Sequence, residues 1–519
     1  MKRFLLLLTA LTPLVVAAIK EPINVDGGLI TGTPTPQWTP NVRLFRGIPY
    51  AAPPDGALRW RPPMPVVPWT GVKAADHFSD ACIQAPTATD GNAWREGLST
   101  FSEDCLYINV WTPAQSADAK LPVMVFIHGG GNTRGAASEN QYDGAYLAKK
   151  GVVFVSFNYR MGAFGFLAHA DLTKESSNHS SGNYAILDQI AALKWIQRNI
   201  AKFGGDPGTV MIFGHSAGAS NVSTLMATPL AKGLFQRVLT QSGVNLTPGT
   251  SLADAEKSGA KFVEALGAKN IDDLRRMPAE AILKAPASGA RMGTVVDGWL
   301  LPQDVYTIFA TGKQNDVPLV TGSMAQDGGG PGGAVPTKAA EVPDYAKKTF
   351  GALAGKYLAA FPSGTDQQAA QAAKDYAASR SMANARTWVR LQTKTGKSKA
   401  YWYLFTHVSP MPEGLMWGGR PAKDWGAYHG GEMVYVFNAF PLQDWAWRPV
   451  DLKLGDQVSS MWVNFAKTGN PNGPGLPEWP SYDAAKDDLL IIGDVPKAGT
   501  PPNKAALDFA DALAAQQRK

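Results

Sequence analysis

The segment from Gly214 to Gly218, with the letters G-H-S-A-G, most constrains how this chain folds. It directly follows a short apolar run at residues 210–213 and precedes a segment typical of a helix. Glycines around a serine at such a junction permit a sharp turn that lifts the hydroxyl clear of its own backbone. A histidine and a substrate carbonyl can both reach a hydroxyl placed in this way. The pattern therefore predicts Ser216 as a nucleophile for acyl transfer.

Apolar runs alternate with helical segments through the first half of the chain, which predicts an α/β fold. Ile186, Ile190 and Leu193 recur at helical spacing between residues 186 and 200. Such alternation favours a mostly parallel central sheet with helices on both faces, the α/β-hydrolase fold once the serine turn is included. In such sheets the functional residues gather at the carboxyl ends of the strands. The expected strands are 123–127, 152–157, 210–213, 238–240, 318–321 and 400–405, and the expected helical insertions over the active site are 251–290 and 337–395, with a terminal helix at 504–518.

The N-terminus has the pattern of a secretory signal. Lys2 and Arg3 are followed by an apolar stretch at 4–16 and by Val16-Ala17-Ala18, a small-residue cleavage site. The alternative is a membrane anchor, but this stretch is too short, and no later run reaches the roughly 20 apolar residues of a span. We expect residues 1–18 to be removed, residues 19–519 to form a single domain, and the protein to be secreted or periplasmic.

Charge and cysteine content narrow the function classes further. The net charge is +6, but the basic residues are scattered, without the clusters or interleaved aromatics of nucleic-acid binding. Cys82 and Cys105 are the only cysteines, so export predicts a disulfide between them, the alternative being two buried free thiols. Cysteine and histidine nowhere share the spacing of a metal site, so we expect no metal.

A serine hydroxyl needs a neighbouring base, and that base needs an orienting acid. In this fold the serine precedes the acid and the acid precedes the histidine. Among the seven histidines only His407 and His429 lie far enough downstream. His429 is in a glycine-flanked loop at 426–432 that can bring an imidazole to the serine, whereas His407 directly follows a predicted strand. We expect His429 to be the base and keep His407 as the alternative.

Asp327 is the preferred orienting acid. It follows the predicted strand at 318–321 and opens a glycine-rich run at 328–333. Its role is to hold one tautomer of His429 and to stabilise the imidazolium. An Asp-Gly pair is also ordinary turn chemistry, and Asp297 in the segment 295–298 is the rival.

His128 and the three glycines at 129–131 follow the predicted strand 123–127. Glycines here let backbone N–H groups approach a substrate with no side chain in the way. We expect Gly130 and Gly131 to form an oxyanion hole with the N–H of Ala217, the residue after the nucleophile. The alternative is a merely flexible loop.

Several long motifs resemble those of the type-B carboxylesterase family, which includes the cholinesterases. The matching segments are 45–54, 103–113, 158–160, 188–189, 203–218 and 465–472, within a likeness that runs from about residue 22 to 485. The resemblance implies Ser216, Asp327 and His429 as the catalytic triad, and Gly130, Gly131 and Ala217 as the oxyanion hole. It also implies a Cys82–Cys105 bridge and no cofactor.

Three positions depart from the family pattern. His215 stands where the family usually has glutamate, which makes the floor of the pocket less negative and argues against a preference for cationic, choline-type substrates. Asn132 stands where an aromatic residue is common, and Asp327 stands where glutamate is commoner. We expect the substrate pocket to include Asn132, His215, Trp417 and Trp425, and further loop aromatics to contribute to it, namely Trp94, Phe101 and Tyr428.

The sequence therefore predicts a serine carboxylesterase that acts on small-molecule esters through an acyl-enzyme. Two alternatives use the same triad: a specialised hydrolase of aromatic, polyester or toxin esters, and an amidase. A more remote alternative is a binding or adhesion relative without catalysis, although such relatives usually lack the serine or the histidine.

Overall fold

The computed structural model describes residues 19–35, 39, 41–85, 98, 100–284, 292–327, 335–417 and 420–518, apart from the side chains of Trp417 and Arg420. The predicted signal segment 1–18, Trp94 and the glycine-rich run after Asp327 lie outside these residues.

Strands occur along the whole described chain. They are β1 (Ile23–Val25), β2 (Gly28–Thr31), β3 (Thr33–Pro34), β4 (Arg43–Pro49), β5 (Val72–Ala74), β6 (Ala81–Cys82), β7 (Phe101–Ser102), β8 (Tyr107–Thr112), β9 (Leu121–Ile127), β10 (Val153–Phe157), β11 (Gly205–His215), β12 (Arg237–Gln241), β13 (Thr250–Ser251), β14 (Val295–Val296), β15 (Leu319–Met324), β16 (Ala400–Phe405), β17 (Met416–Trp417), β18 (Arg420–Pro421), β19 (Leu489–Ile492) and β20 (Lys497–Gly499).

Helices connect and cover these strands. They are α1 (Ala145–Lys149), α2 (Gly162–Phe166), α3 (Ala170–Glu175), α4 (Tyr184–Asn199), α5 (Ala217–Ala227), α6 (Leu252–Ala265), α7 (Ile271–Arg276), α8 (Ala279–Leu283), α9 (Val305–Ala310), α10 (Val342–Phe350), α11 (Ala354–Ala360), α12 (Asp366–Thr395), α13 (Met433–Phe437), α14 (Pro449–Thr468) and α15 (Lys504–Gln517).

The central sheet of the described chain has 11 strands in the order β20-β19-β16-β15-β12-β11-β9-β10-β8-β4-β3. Every neighbouring pair from β19 to β10 is parallel. The pairs at both edges are antiparallel: β20 with β19, β10 with β8, β8 with β4, and β4 with β3. The predicted mostly parallel sheet is thus confirmed, with antiparallel edges added.

The strands at the centre of the sheet are apolar on both faces, as parallel strands covered by helices must be. Val125 and Ile212 pack into one buried cluster with residues of α4 and α5. Phe126 and Phe213, each one residue further along its strand, pack into a second cluster with α13 and α14. This period of two places one apolar layer on each side of the sheet.

The predicted helices are present, although the two long segments are divided. The segment 251–290 contains α6, α7 and α8, which form a cluster with Trp60, Phe164 and Tyr184. The segment 337–395 contains α10, α11 and α12, and the terminal helix α15 packs against α11 and α12. Aromatic rings of Phe350, Tyr357 and other residues fill the space between these helices.

Cys82 and Cys105 form a disulfide, as predicted. Both residues are buried, and the bond joins the short strand β6 to the residues just before β8. In the part of the chain that the structure describes, no helix combines the length and apolarity that crossing a bilayer requires.

Candidate active site

Ser216 is the single residue between β11, which ends at His215, and α5, which begins at Ala217. Its backbone has φ 58° and ψ −122°, a strained conformation that non-glycine residues seldom adopt. The Ser216 N–H donates to the carbonyl of Gln241 on the neighbouring strand β12, at 2.8 Å. The strand, the turn and the helix together hold the serine at the carboxyl end of the sheet.

The glycines around Ser216 are required by close backbone contacts. A Cβ atom on Gly214 would lie 2.6 Å from the carbonyl carbon of Gly218, and one on Gly218 would lie 2.0 Å from the Ile127 oxygen. Both distances are shorter than any real Cβ contact, so larger residues would force the strand–turn–helix unit apart.

Asp327 and His429 are adjacent, although 102 residues separate them in the chain. Nδ1 of His429 and Oδ1 of Asp327 are 2.5 Å apart. The loop after β15 is joined to the loop that contains His429 at Gln326. The Gln326 N–H donates to the Ala427 carbonyl, and its side-chain oxygen accepts from the Ala427 N–H at 2.7 Å. This pairing brings the aspartate and the histidine together.

Asp327 and His429 each shift the pKa of the other. Burial raises the pKa of Asp327, but the charge and hydrogen bond of His429 and a hydrogen bond from Ser381 outweigh burial and lower it below the ordinary value. Burial lowers the pKa of His429, but the Asp327 carboxylate outweighs it, so that pKa is raised. Asp327 is therefore ionised at neutral pH and stabilises an imidazolium at His429.

Ser216 and His429 line one cavity of about 410 Å³. The side chain of His429 is about one-third exposed, 34%, so the imidazole is accessible from the cavity. Among the described residues the Ser216 hydroxyl has no hydrogen-bond partner, His429 included. Contacts of this kind in a substrate-free site are often long and tighten only when a substrate binds.

The three glycines at 129–131 line the same cavity. Gly130 and Gly131 have φ values of +105° and +66°, and a Cβ on Gly130 would lie 1.9 Å from the Arg134 oxygen. The N–H groups of Gly130, Gly131 and Ala217 donate no hydrogen bond to another described residue. Three free donors beside a serine are what an oxyanion requires.

The alternative base, His407, and the alternative acid, Asp297, both have hydrogen-bond partners elsewhere. Nε2 of His407 lies 2.6 Å from Asp451 and its Nδ1 lies 2.6 Å from Asp494, so both ring nitrogens are engaged away from the cavity. Asp297 accepts hydrogen bonds from Ser180 and from the Leu301 N–H, at 2.9 Å each, and so stabilises a turn.

The structure does not place the four expected pocket residues around one cavity. His215 lines the 410 Å³ cavity with Ser216. Asn132 instead lines a neighbouring cavity of about 350 Å³, where its amide pairs with that of Asn221 at 2.9 Å. Trp425 packs against the apolar cluster around α14 and is not in the lining. The side chain of Trp417 lies outside the described residues.

Of the other loop aromatics that the structure describes, one lines the cavity and one does not. Tyr428 lines the cavity beside His429, whereas Phe101 packs against the cluster around α6 to α8. Sequence reasoning missed Leu98, Arg134 and Glu139 as lining residues. All three lie in loops, and the sequence carries no signal that would have assigned them to this cavity.

Ser381 and Glu432 also support the site and were not predicted. Ser381, on α12, donates to Oδ2 of Asp327 at 2.5 Å. Glu432 is fully buried and accepts from the Tyr403 hydroxyl at 2.9 Å, and burial raises the pKa of its carboxyl to about 7. Glu432 is visible in the sequence three residues after His429, but nothing local connects α12 to the site.

We expect Ser381→Ala to lower kcat by about tenfold and to leave KM within about twofold, because a hydrogen bond to a charged group is worth about 1.5–3 kcal/mol. Ser379→Ala is the matched control, since the Ser379 hydroxyl donates only to Tyr376 within α12, at 2.8 Å. Steady-state kinetics measure the effect of each variant on catalysis, and thermal unfolding measures its effect on stability. Together they separate a positioning role from a purely structural one. A loss of thermal stability with unchanged kcat would contradict a positioning role for Ser381.

Known proteins are similar to this chain in sequence and in fold. The carboxylesterase family model matches residues 20–510. Fumonisin B1 esterase of Sphingopyxis macrogoltabida is 34% identical over 90% of this chain and 86% of its own length. Liver carboxylesterase 1F of Rattus norvegicus is 35% identical over 88% and 86%. A solved PNB esterase structure covers 94% of this chain and 99% of its own, with 30% identity and a TM-score of 0.78.

The mostly parallel sheet and the serine turn between β11 and α5 define an α/β-hydrolase. The chain belongs to the carboxylesterase family, and it is a carboxylic ester hydrolase.

Proposed function

We propose that Ser216, His429 and Asp327 are the catalytic triad and that the ester is cleaved through an acyl-enzyme. The observation that carries this proposal is the 2.5 Å contact between His429 and Asp327 at a cavity that also contains Ser216. A base oriented by a carboxylate beside a serine on a strained turn is the arrangement that activates a hydroxyl.

In the first half of the reaction, Oγ of Ser216 bonds to the ester carbonyl carbon, and its proton passes to Nε2 of His429. The carbonyl oxygen becomes an oxyanion, which accepts hydrogen bonds from the N–H groups of Gly130, Gly131 and Ala217. The bond from carbon to the alcohol oxygen then breaks, and the alcohol leaves with the proton from His429.

In the second half, a water molecule gives a proton to His429 as its oxygen bonds to the acyl carbon. Collapse of the second tetrahedral intermediate breaks the bond to Oγ, and the proton on His429 returns to Ser216. The carboxylic acid is released, and the enzyme regains its starting state. Asp327 keeps its charge throughout and stabilises the imidazolium in both steps.

We also propose that the protein is secreted or periplasmic after cleavage following Ala18. The Cys82–Cys105 disulfide supports this proposal, because disulfides persist in oxidising compartments. Mass spectrometry of the mature N-terminus in the culture medium or periplasm tests it.

An organophosphate ester tests the proposed nucleophile directly. The serine oxygen bonds to its phosphorus atom as the bond from phosphorus to the leaving group breaks, the hydroxyl proton passes to His429, and the phosphorylated serine does not hydrolyse readily. We expect stoichiometric labelling that peptide mass spectrometry assigns to Ser216, with loss of p-nitrophenyl acetate turnover in proportion to the label. Labelling at another serine with parallel inactivation would overturn the assignment of Ser216.

A substrate panel tests the class of ester. We propose short-chain to medium-chain esters as substrates and compare them with long-chain, aromatic and amide analogues. Because fumonisin B1 esterase is similar over 90% of the chain, fumonisin B1 belongs in the same panel as the candidate toxin ester. Activity confined to long emulsified acyl chains would contradict this proposal.

A further inference from the structure

Asn132 joins the glycine loop, residues 128–132, to the helix that follows the nucleophile. Its backbone lies in the left-handed region, with φ +58°, and its carbonyl accepts from the Gly162 N–H at 2.7 Å. Asparagine adopts this conformation more readily than most residues other than glycine. The Asn132 side chain does not line the cavity that contains Ser216 but a neighbouring one, where it contacts α5.

The side chains of Asn132 and Asn221 hydrogen-bond each other in both directions. The Asn221 amide donates to Oδ1 of Asn132 at 2.9 Å, and the Asn132 amide donates to Oδ1 of Asn221 at 3.3 Å. Asn221 is on α5 and is only 1% exposed. The buried Tyr159 hydroxyl donates to the His128 carbonyl at 2.8 Å and lies 3.4 Å from Oδ1 of Asn132. Loss of either amide therefore leaves buried polar atoms with fewer partners, which is costly.

This asparagine pair lies between the two halves of the proposed oxyanion hole. Asn132 directly follows Gly131, and Asn221 is four residues, about one helical turn, after Ala217 on α5. The pair thus connects the loop that supplies two N–H donors to the helix that supplies the third. Three donors stabilise one oxyanion only when their separation is fixed, because a small misplacement removes much of their effect.

The near end of the glycine loop is fixed in another way. Gly218 packs so closely against the end of β9 that a Cβ on it would lie 2.0 Å from the Ile127 oxygen and 2.6 Å from the His128 oxygen. Further along, the loop closes on itself, since the Arg134 N–H donates to the Gly130 carbonyl at 3.1 Å. The asparagine pair then ties the far end of the loop to α5.

We propose that Asn132 and Asn221 are positioning residues for the oxyanion hole, and that their pairing sets the distance between the donors of the glycine loop and the Ala217 N–H. This inference rests on the proposed function, in which these N–H groups stabilise the oxyanion that forms when Ser216 attacks. A full negative charge depends on donor placement far more than the weakly polar carbonyl of the bound ester does. The effect of the pair should therefore be seen in kcat and much less in KM.

The test uses two inhibitors of nearly the same shape, hexyl trifluoromethyl ketone and the secondary alcohol formed by its reduction. With the ketone, Oγ of Ser216 bonds to the carbonyl carbon, the hydroxyl proton passes to His429, and the carbonyl oxygen becomes an oxyanion. The alcohol can occupy the same cleft but has no carbonyl carbon, so it forms no oxyanion. The ratio of the two inhibition constants therefore measures the oxyanion hole separately from the rest of the cleft.

Two variants remove the pair from opposite sides. Asn221→Ala leaves the glycine loop unchanged, and Asn132→Gly keeps a residue that accepts a positive φ. We expect each to weaken the ketone about tenfold relative to the alcohol and to lower kcat for p-nitrophenyl acetate about tenfold, with KM within about twofold. Complete loss of one oxyanion donor costs about 100-fold to 1000-fold, and a misplaced donor should cost less. The double variant should lose no more than about threefold beyond either single variant, because both break the same contact.

Asn245→Ala is the matched control. Asn245 lines the same neighbouring cavity as Asn132, and its amide donates to Thr224 on α5 at 3.2 Å, but it is not part of the glycine loop. Its inhibitor ratio and kcat should stay within about twofold of the wild-type values.

Variants at Asn132 and Asn221 that lose thermal stability but keep the wild-type inhibitor ratio would overturn the inference. Losses that multiply in the double variant would overturn it as well, because the two residues would then act independently. A wild type that binds the ketone no more tightly than the alcohol would instead reject the proposed oxyanion hole, and the inference with it.

Discussion

Replacement of Ser216 by alanine is expected to lower kcat for p-nitrophenyl acetate by about a millionfold, the loss typical of a triad nucleophile. Alanine has no oxygen that can bond to the carbonyl carbon, so no acyl-enzyme forms. The proposed oxyanion donors and the binding surface remain in the variant. They should give a residual rate above that of the uncatalysed reaction in water. The measurement is the steady-state rate on purified protein, with a burst experiment to detect any remaining acyl-enzyme.

Ser220→Ala is the matched control for this replacement. Ser220 lies one turn further along α5 and lines the neighbouring cavity that contains Asn132. We expect its kcat to stay within about threefold of the wild type. Alanine should fit the backbone of Ser216 no worse than serine does, so thermal unfolding of the two variants should be similar. Turnover by Ser216→Ala close to the wild-type rate would remove the serine from the mechanism.

The parts of the fold that follow local rules were predictable from the sequence. The strands β9, β10 and β12 are apolar runs at the centre of a parallel sheet, and such runs are continuous because both faces are buried. The antiparallel strands β4 and β8 were not predicted, although each is paired on both sides within the sheet. Gly47 and Pro49 lie within β4, and its register with β8 shifts between Phe45 and Ile48.

The strand β11 shows a different limit of local reasoning. It begins at Gly205, five residues before the predicted apolar run, and includes Pro207 and Gly208. Those residues are typical of a break, and the register with β9 does shift between Gly205 and Val210. A bulged start of this kind is specified by pairing with β9, which the sequence does not display.

The residues of the candidate site also divide into those that the sequence could predict and those that it could not. Ser216 and the glycines at 129–131 lie at strand ends, so short motifs locate them. His429 follows from chain order and a glycine-flanked loop. Ser381 reaches Asp327 from the middle of a 30-residue helix, and that approach depends on how α12 packs against β15 and β16. Asn132 turns away because its partner Asn221 lies on α5, a contact that spans 89 residues.

The second large effect is expected for Asp327→Asn, which should lower kcat by about ten thousandfold. The amide is nearly the same size as the carboxylate, but it can donate a hydrogen bond to Nδ1 and thereby favour the wrong tautomer of His429. It also carries no charge to stabilise the imidazolium. The rate of p-nitrophenyl acetate hydrolysis under saturating substrate measures this loss.

The pH dependence of kcat/KM gives a second, independent test of the same variant. The proposed base, His429, can accept a proton only when it is deprotonated, so we expect wild-type kcat/KM to fall as the pH drops through the pKa of this residue. Asp327 raises that pKa, so the acidic limb should lie above the ordinary histidine value of about 6.5. In Asp327→Asn the burial of the imidazole loses its strongest opposing group, while the weaker effect of Glu432 remains. The limb of the residual activity should therefore move to lower pH than in the wild type.

Asp297→Asn is the matched control, since Asp297 was the rival acid and accepts the N–H groups of Trp299 and Leu301 in a turn. This variant should lose some thermal stability because the amide accepts those hydrogen bonds less strongly, while its kcat and acidic limb stay close to those of the wild type. The opposite pattern, with catalysis lost in Asp297→Asn and kept in Asp327→Asn, would assign the orienting acid to Asp297. An acidic limb unchanged in Asp327→Asn would show that the carboxylate does not control the protonation of His429.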